Sequence, residues 1–142
     1  MIGCIIQARM GSTRLPGKIL KKVHNDIPSF QYTINQLRFS KNIDKIVIAT
    51  TELSEDDVWT QDVLKHAIDS IEHVYRSMGT DIPDVIVRVQ ANSPQVTGEK
   101  IDECIQMLLE NNLWEVFTVD EKGIENGAVH VLRKHCVFQD AL

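Results

Sequence analysis

Short apolar runs alternate with stretches of helical periodicity along this chain. Ile2 to Ile6 forms an apolar run of the kind a buried strand needs. After a polar loop, Ile27, Phe30, Ile34 and Leu37 recur at helical spacing, with Pro28 in the first turn, where its missing N–H costs nothing. Lys45 to Thr51 is a β-branched run and predicts a second buried strand. Ser54, with Asp57 three residues on, suits a helix start. That helix carries Trp59, Val63, Ala67, Ile71 and Val74 on one face to about Arg76, and Gly79 and Pro83 bracket the next turn. Val85 to Val89 predicts a third strand, ending in the loop Gln90–Pro94. Thr97 is placed to cap a helix whose Ile101, Cys104, Ile105, Leu108 and Leu109 form an apolar stripe. Val116–Val119 and Ala128–Leu132 read as strands, followed by a short helix from about His135.

Repeated β-α units with nearly continuous apolar strands predict an α/β fold: a mostly parallel sheet, helices on both faces, one compact domain over residues 1–142. Ligands of such sheets lie beyond the carboxyl ends of the strands. Three loops leave there, Gln7–Lys18, Thr50–Asp56 and Gln90–Pro94, so polar residues remote in sequence can meet in one pocket.

The first of these loops holds two glycines, two small hydroxyls and three cations, Arg9, Arg14 and Lys18. Glycines let backbone N–H groups approach an anion, Arg grips phosphate oxygens in pairs, and Lys adds a point charge. The pattern is neither a Walker A loop nor a dinucleotide fingerprint. A net charge of -5 argues against general nucleic-acid binding and suits a small anionic ligand at a local basic loop. Cys4, Cys104 and Cys136 are too far apart for a C-x-x-C pair and read as small apolar residues in a reducing compartment. No apolar run approaches the roughly 20 residues of a membrane span, and the N-terminus lacks the charge and apolar core of a signal peptide. The expectation is a cytoplasmic protein. His66 and His73 lack a third ligand and read as surface or packing residues, while Trp59 and Trp114 read as core or interface anchors. His130, inside a strand, is a candidate general base.

The segment Gln7-Ala8-Arg9-Met10-Gly11-Ser12-Thr13-Arg14-Leu15-Pro16-Gly17-Lys18 resembles the N-terminal signature of the cytidylyltransferases that activate acidic sugars. The spore-coat-polysaccharide type is nearest, with acylneuraminate and Kdo cytidylyltransferases as relatives. Ser40–Thr51 is similar to the family's second strand, Gln90-Ala91-Asn92-Ser93-Pro94 to a Gln-x-Thr-Ser-Pro segment, and Glu125–Val131 to a late strand beside the acceptor sugar. The resemblance implies a Rossmann-like nucleotidyltransferase sheet. It also implies transfer of CMP from CTP to an acidic sugar or similar acceptor, with release of pyrophosphate. Arg9, Arg14 and Lys18 would do the charge work, assisted by the backbone of Met10, Gly11 and Ser12. Gln7 and Ala8 would line the nucleotide, Thr50 or Thr51 the base, and Gln90 and Asn92 nucleotide or sugar. Mg²⁺ would be bound mainly through the triphosphate, and a homodimer is implied.

The chain also departs from the family pattern. A strand and its Arg are missing between Asp57 and Asp62, with Tyr75-Arg76 a nearby substitute. Asn92 stands where the nearest relatives carry a Mg²⁺-binding Asp, and the late acids are Asp120, Glu121, Glu125 and Asp140. The alternative expectation is therefore a nucleotide-binding or assembly module of the same fold that needs a partner.

Overall fold

A computed structural model describes residues 1–8, 20–49, 60–79, 81, 83–91 and 93–138. A five-stranded sheet in the order β4-β1-β5-β7-β6 organises them. Its strands are β1 (Ile2–Gln7), β4 (Lys45–Ala49), β5 (Val85–Gln90), β6 (Glu115–Val119) and β7 (Glu125–Arg133). β1 pairs in parallel with both β4 and β5. β7 runs antiparallel to β5 and to β6, so it is the one strand of this sheet opposed to the rest. Four of the five strands point the same way, as the mostly parallel reading expects, and β7 is the exception. Apolar alternation reports burial, not strand direction, and a five-residue turn suffices to send β6 back as β7.

Helix α1 (Ser29–Leu37) and α3 (Gly98–Glu110) cover one face, and α2 (Thr60–Met78) the other. On the first face Leu37, Ile101, Ile105 and Leu108 bury against Cys4, Ile6, Val87, Val89, Val129 and Val131. On the second, Ala67, Ile68 and Ile71 meet Ile5, Ile86 and Leu132, joined by Val137 of a closing 3-10 turn, Lys134–Phe138. Each fully buried Ile, Leu or Val contributes about 1.5–3 kcal/mol. Strand pleating puts Ile5 and Ile6, or Ile86 and Val87, on opposite faces, so the continuous apolar runs serve both layers.

The Thr97 hydroxyl accepts from the Lys100 N–H at 3.2 Å, as the capping pattern predicts. Gly98 then lets α3 lie against the end of α1; a Cβ there would sit 2.7 Å from the Phe39 carbonyl carbon and the Ser40 nitrogen. Asp102 completes the junction by accepting from the Ser40 hydroxyl and the Lys41 and Asn42 N–H groups. Burial works against the charge of Asp102, but these donors together hold its carboxyl below its usual range.

Several expectations need correcting. Ile27 and Pro28 form strand β3, paired with β2 (Lys22–His24), and Pro28 is the residue before α1 rather than part of its first turn. Asn25 and Asp26 both take positive φ, the conformation of a tight hairpin turn. Leu109 is 45% exposed because it lies about 100° around α3 from the buried Leu108. Trp114 is exposed, edge-on to His135 at 6.2 Å, and is no core residue. The apolar reading of the cysteines holds for Cys4 and Cys104, which are buried; Cys136 is half-buried, and all three are free. No helix among the described residues is long and apolar enough to cross a membrane.

Candidate functional site

Gln7 lies opposite Ala49 on one side and Gln90 on the other, so β4, β1 and β5 end at one level. In the sequence, residues 9–19 follow Ala8 and residues 50–59 follow Ala49. Arg9, Met10, Gly11, Ser12, Arg14, Lys18, Thr50, Thr51 and Asn92 lie outside the described residues, as do Ser54, Asp57 and Trp59. Of the remaining candidates, Gln7 is the last residue of β1 and Ala8 packs into the α1–α3 core. Gln90 ends β5.

The turn after β5 is held from below. The Ser93 N–H donates to the Gln90 carbonyl at 3.2 Å, and the Val96 N–H to the Ser93 carbonyl at 3.2 Å. The Ala91 carbonyl accepts from the Ser29 hydroxyl at 3.3 Å and the Thr33 hydroxyl at 3.4 Å. Ser29 and Thr33 are one turn apart on the inner face of α1 and nearly inaccessible. The motif reading missed both. Their signal was two hydroxyls at i, i+4 within an apolar helix face. From β7, Gly127 at φ +68° leaves room for the Gln90 side chain; a Cβ there would lie 2.7 Å from Gln90 Nε2.

A second group, in which sequence reasoning named His130 and Glu125 but missed Arg88, lies on the sheet face shared with Ile86. Arg88, two residues before Gln90 on the same face, is 16% exposed and sits 3.6 Å from a Glu125 carboxylate oxygen. Burial draws the Arg88 pKa down, opposed by Glu125 and then Glu115. His130 is the cross-strand neighbour of Arg88; its Nε2 is 2.9 Å from Glu115 Oε2, and the Phe117 ring stands edge-on to it at 5.8 Å. Its Nδ1 is buried with no hydrogen-bond partner. The Nε2–H tautomer donating to Glu115 leaves the lone pair on Nδ1. The visible signal was one cation inside the apolar run Val85–Val89.

The described residues contain no group of three or more His, Cys, Asp or Glu side chains suited to a metal ion. Among the late acids, Asp120 accepts from the Lys122 and Ile124 N–H groups and so shapes the β6–β7 turn, while Glu125 faces Arg88. Asp140 lies outside the described residues.

Aligned parallel strand ends are where α/β proteins of this kind bind ligands. The cytidylyltransferase family model matches residues 3–135. The chain belongs to the cytidylyltransferase family. A 3-deoxy-manno-octulosonate cytidylyltransferase of Francisella tularensis is 32% identical over 130 residues, 85% of this chain and 51% of that protein. The spore coat polysaccharide biosynthesis protein SpsF of Bacillus subtilis is 35% identical over 113 residues, covering 72% and 47%. Among solved structures, a cytidylyltransferase from Leptospira borgpetersenii superposes with a TM-score of 0.66 at 26% identity, covering 96% of this chain and 61% of that one. The chain thus spans about half the length of these two curated relatives. The Rossmann-like nucleotidyltransferase sheet expected from the signature is the fold this chain has.

Proposed function

We propose that this cytidylyltransferase binds CTP beyond the carboxyl ends of β1, β4 and β5 and transfers its CMP group to an acidic sugar or similar acceptor. An acceptor oxygen attacks the α-phosphorus, the bond to the bridging oxygen breaks, and pyrophosphate leaves. The common level of Gln7, Ala49 and Gln90 carries the reading, because the signature loop follows β1 in the sequence and the Gln90 turn follows β5. The reaction asks the protein mainly for alignment and charge stabilisation. Arg9, Arg14 and Lys18 take the phosphate charge with the backbone N–H groups of Met10, Gly11 and Ser12. Gln7 and Ala8 border the nucleotide, Thr50 or Thr51 meets the base, and Gln90 and Asn92 meet nucleotide or sugar.

Mg²⁺ in this reading arrives mainly on the triphosphate, as it commonly does with nucleotides. We place the protein in the cytoplasm as a homodimer acting in glycan biosynthesis.

Calorimetric titration with CTP, with and without Mg²⁺ and against ATP, UTP and GTP, tests the assignment. Selective CTP binding is expected, weakened on the order of 10- to 100-fold in Arg9→Ala by loss of a charged hydrogen-bonding partner. Near-normal CTP affinity in that variant would refute the loop's role. CTP binding without pyrophosphate release across a panel of sugar acids would favour a nucleotide-binding module that needs a partner. Asn92 in place of a metal-binding Asp is the feature on that side.

A further inference from the structure

We infer that Arg88 anchors the carboxylate of the acceptor, and that Glu125 occupies the guanidinium until the acceptor's own carboxylate displaces it. The inference rests on the reading of the chain as a transferase with an acidic acceptor, and it assigns the residue that recognises the acid.

Arg88 is a cation set into the sheet itself. Only 16% of its side chain is exposed, and its recorded ionic partner is a single carboxylate oxygen 3.6 Å away. That distance is outside hydrogen-bond range, so the fork of guanidinium donors is under-used by the described residues. Glu125 is 45% exposed and can turn to solvent at little cost. A carboxylate already in place shows that this chemistry fits, and a ligand carboxylate presenting both oxygens to the planar fork improves on it. Burial of the guanidinium strengthens any such contact over one made at the surface.

The position fits an acceptor. Arg88 and Gln90 share a face, and two residues of strand separate them by about 7 Å. A sugar acid held at Arg88 therefore extends towards Gln90 and the strand ends where CTP is proposed to lie. Phe117 and His130 form an aromatic wall beside it. Glu115 and Glu125 keep the surroundings acidic, which disfavours a phosphate dianion and leaves room for one carboxylate exchanged for another. A neutral acceptor cannot compete with Glu125, so the pair selects for acids.

The test follows the arginine Nε–Hε signals of the ¹⁵N-labelled full chain, with Arg88 assigned through Arg88→Lys. 3-Deoxy-manno-octulosonate, its methyl ester, N-acetylneuraminate and pyruvate are titrated with and without CTP. At least one acid should move the Arg88 signal, and the ester should not. Arg88→Lys should weaken the acid about tenfold or more, with CTP affinity unchanged. Glu125→Gln, which removes the competitor, should tighten it severalfold. No response at Arg88 to any acid in protein that binds CTP overturns the anchor and leaves the nucleotide reading standing; so does an equal response to acid and ester. A response to acid in protein that binds no CTP supports the anchor and removes the nucleotide reading.

Discussion

Among the described residues the Ala91 carbonyl has two hydroxyl donors, and only one of them has a second acceptor. The Ser29 hydroxyl lies 3.3 Å from it. The Thr33 hydroxyl lies 3.4 Å from it and 3.1 Å from the Ser29 carbonyl, so its one proton is shared between two acceptors. Ser29→Ala lets the Thr33 proton turn wholly to Ala91, and Thr33→Val leaves Ser29 in place. Each single change should cost about 0.5–1 kcal/mol, the worth of one ordinary hydrogen bond. The double variant leaves a carbonyl orphaned at a residue only 2% exposed. An unpaired buried polar group costs about 1–3 kcal/mol more. The double variant should therefore lose more than the sum of the singles, a coupling that a double-mutant cycle in urea resolves. The turn that carries Gln90 and Asn92 should loosen with it, weakening CTP in calorimetry. Strict additivity, or a double variant as stable as either single, would show that another donor serves this carbonyl and refute the reasoning.

Other consequences are open to measurement. Gly98→Ala forces a Cβ to 2.7 Å from main-chain atoms of Phe39 and Ser40, which cannot yield as a side-chain tip would. Denaturant unfolding should show a loss of about 1–3 kcal/mol despite the better helix propensity of Ala. Asp102 has a depressed carboxyl pKa, so its contribution is fully present above the unfolded value near pH 4 and lost as pH falls through the lower folded value. Asp102→Asn should flatten the acid limb of the stability profile in that window; an unchanged limb counts against the junction. Burial pushes the Cys4 thiol up to about 12, so iodoacetamide at pH 8 should leave Cys4 unmodified until the protein unfolds. Peptide mapping reads this, and labelling of native Cys4 would contradict its burial.

The parts of the fold legible in the chain were those written in local pattern. Thr97, the α3 stripe through Leu108 and the apolar strands needed only period and capping chemistry to be read. The β2–β3 hairpin escaped because its strands are three residues and two residues long, too short for alternation to register. Its Asn25-Asp26 turn was nonetheless spelled out. The reversal of β7 escaped because a buried strand shows the same residues in either direction. The site divides the same way. Its basic loop is a contiguous motif and was legible as such. Arg88 and Glu125, 37 positions apart, meet only through the register of β5 with β7. Ser29 and Ala91 meet only because α1 packs beneath the turn.

The position of β1 also bears on how the chain is made. The strand lies between β4 and β5, pairing Gly3 with Lys45 and Ile2 with Val85. β1 thus receives one neighbour 42 residues later and the other 83 residues later. At about 5–20 residues per second, Ile2–Gln7 waits some 4–17 s for its second partner. During that interval a strand of Ile, Cys and Ile offers an open edge to any other nascent chain. Among the described strands, this interior one is exposed longest before both its neighbours are made, and it is where a chaperone has most to protect.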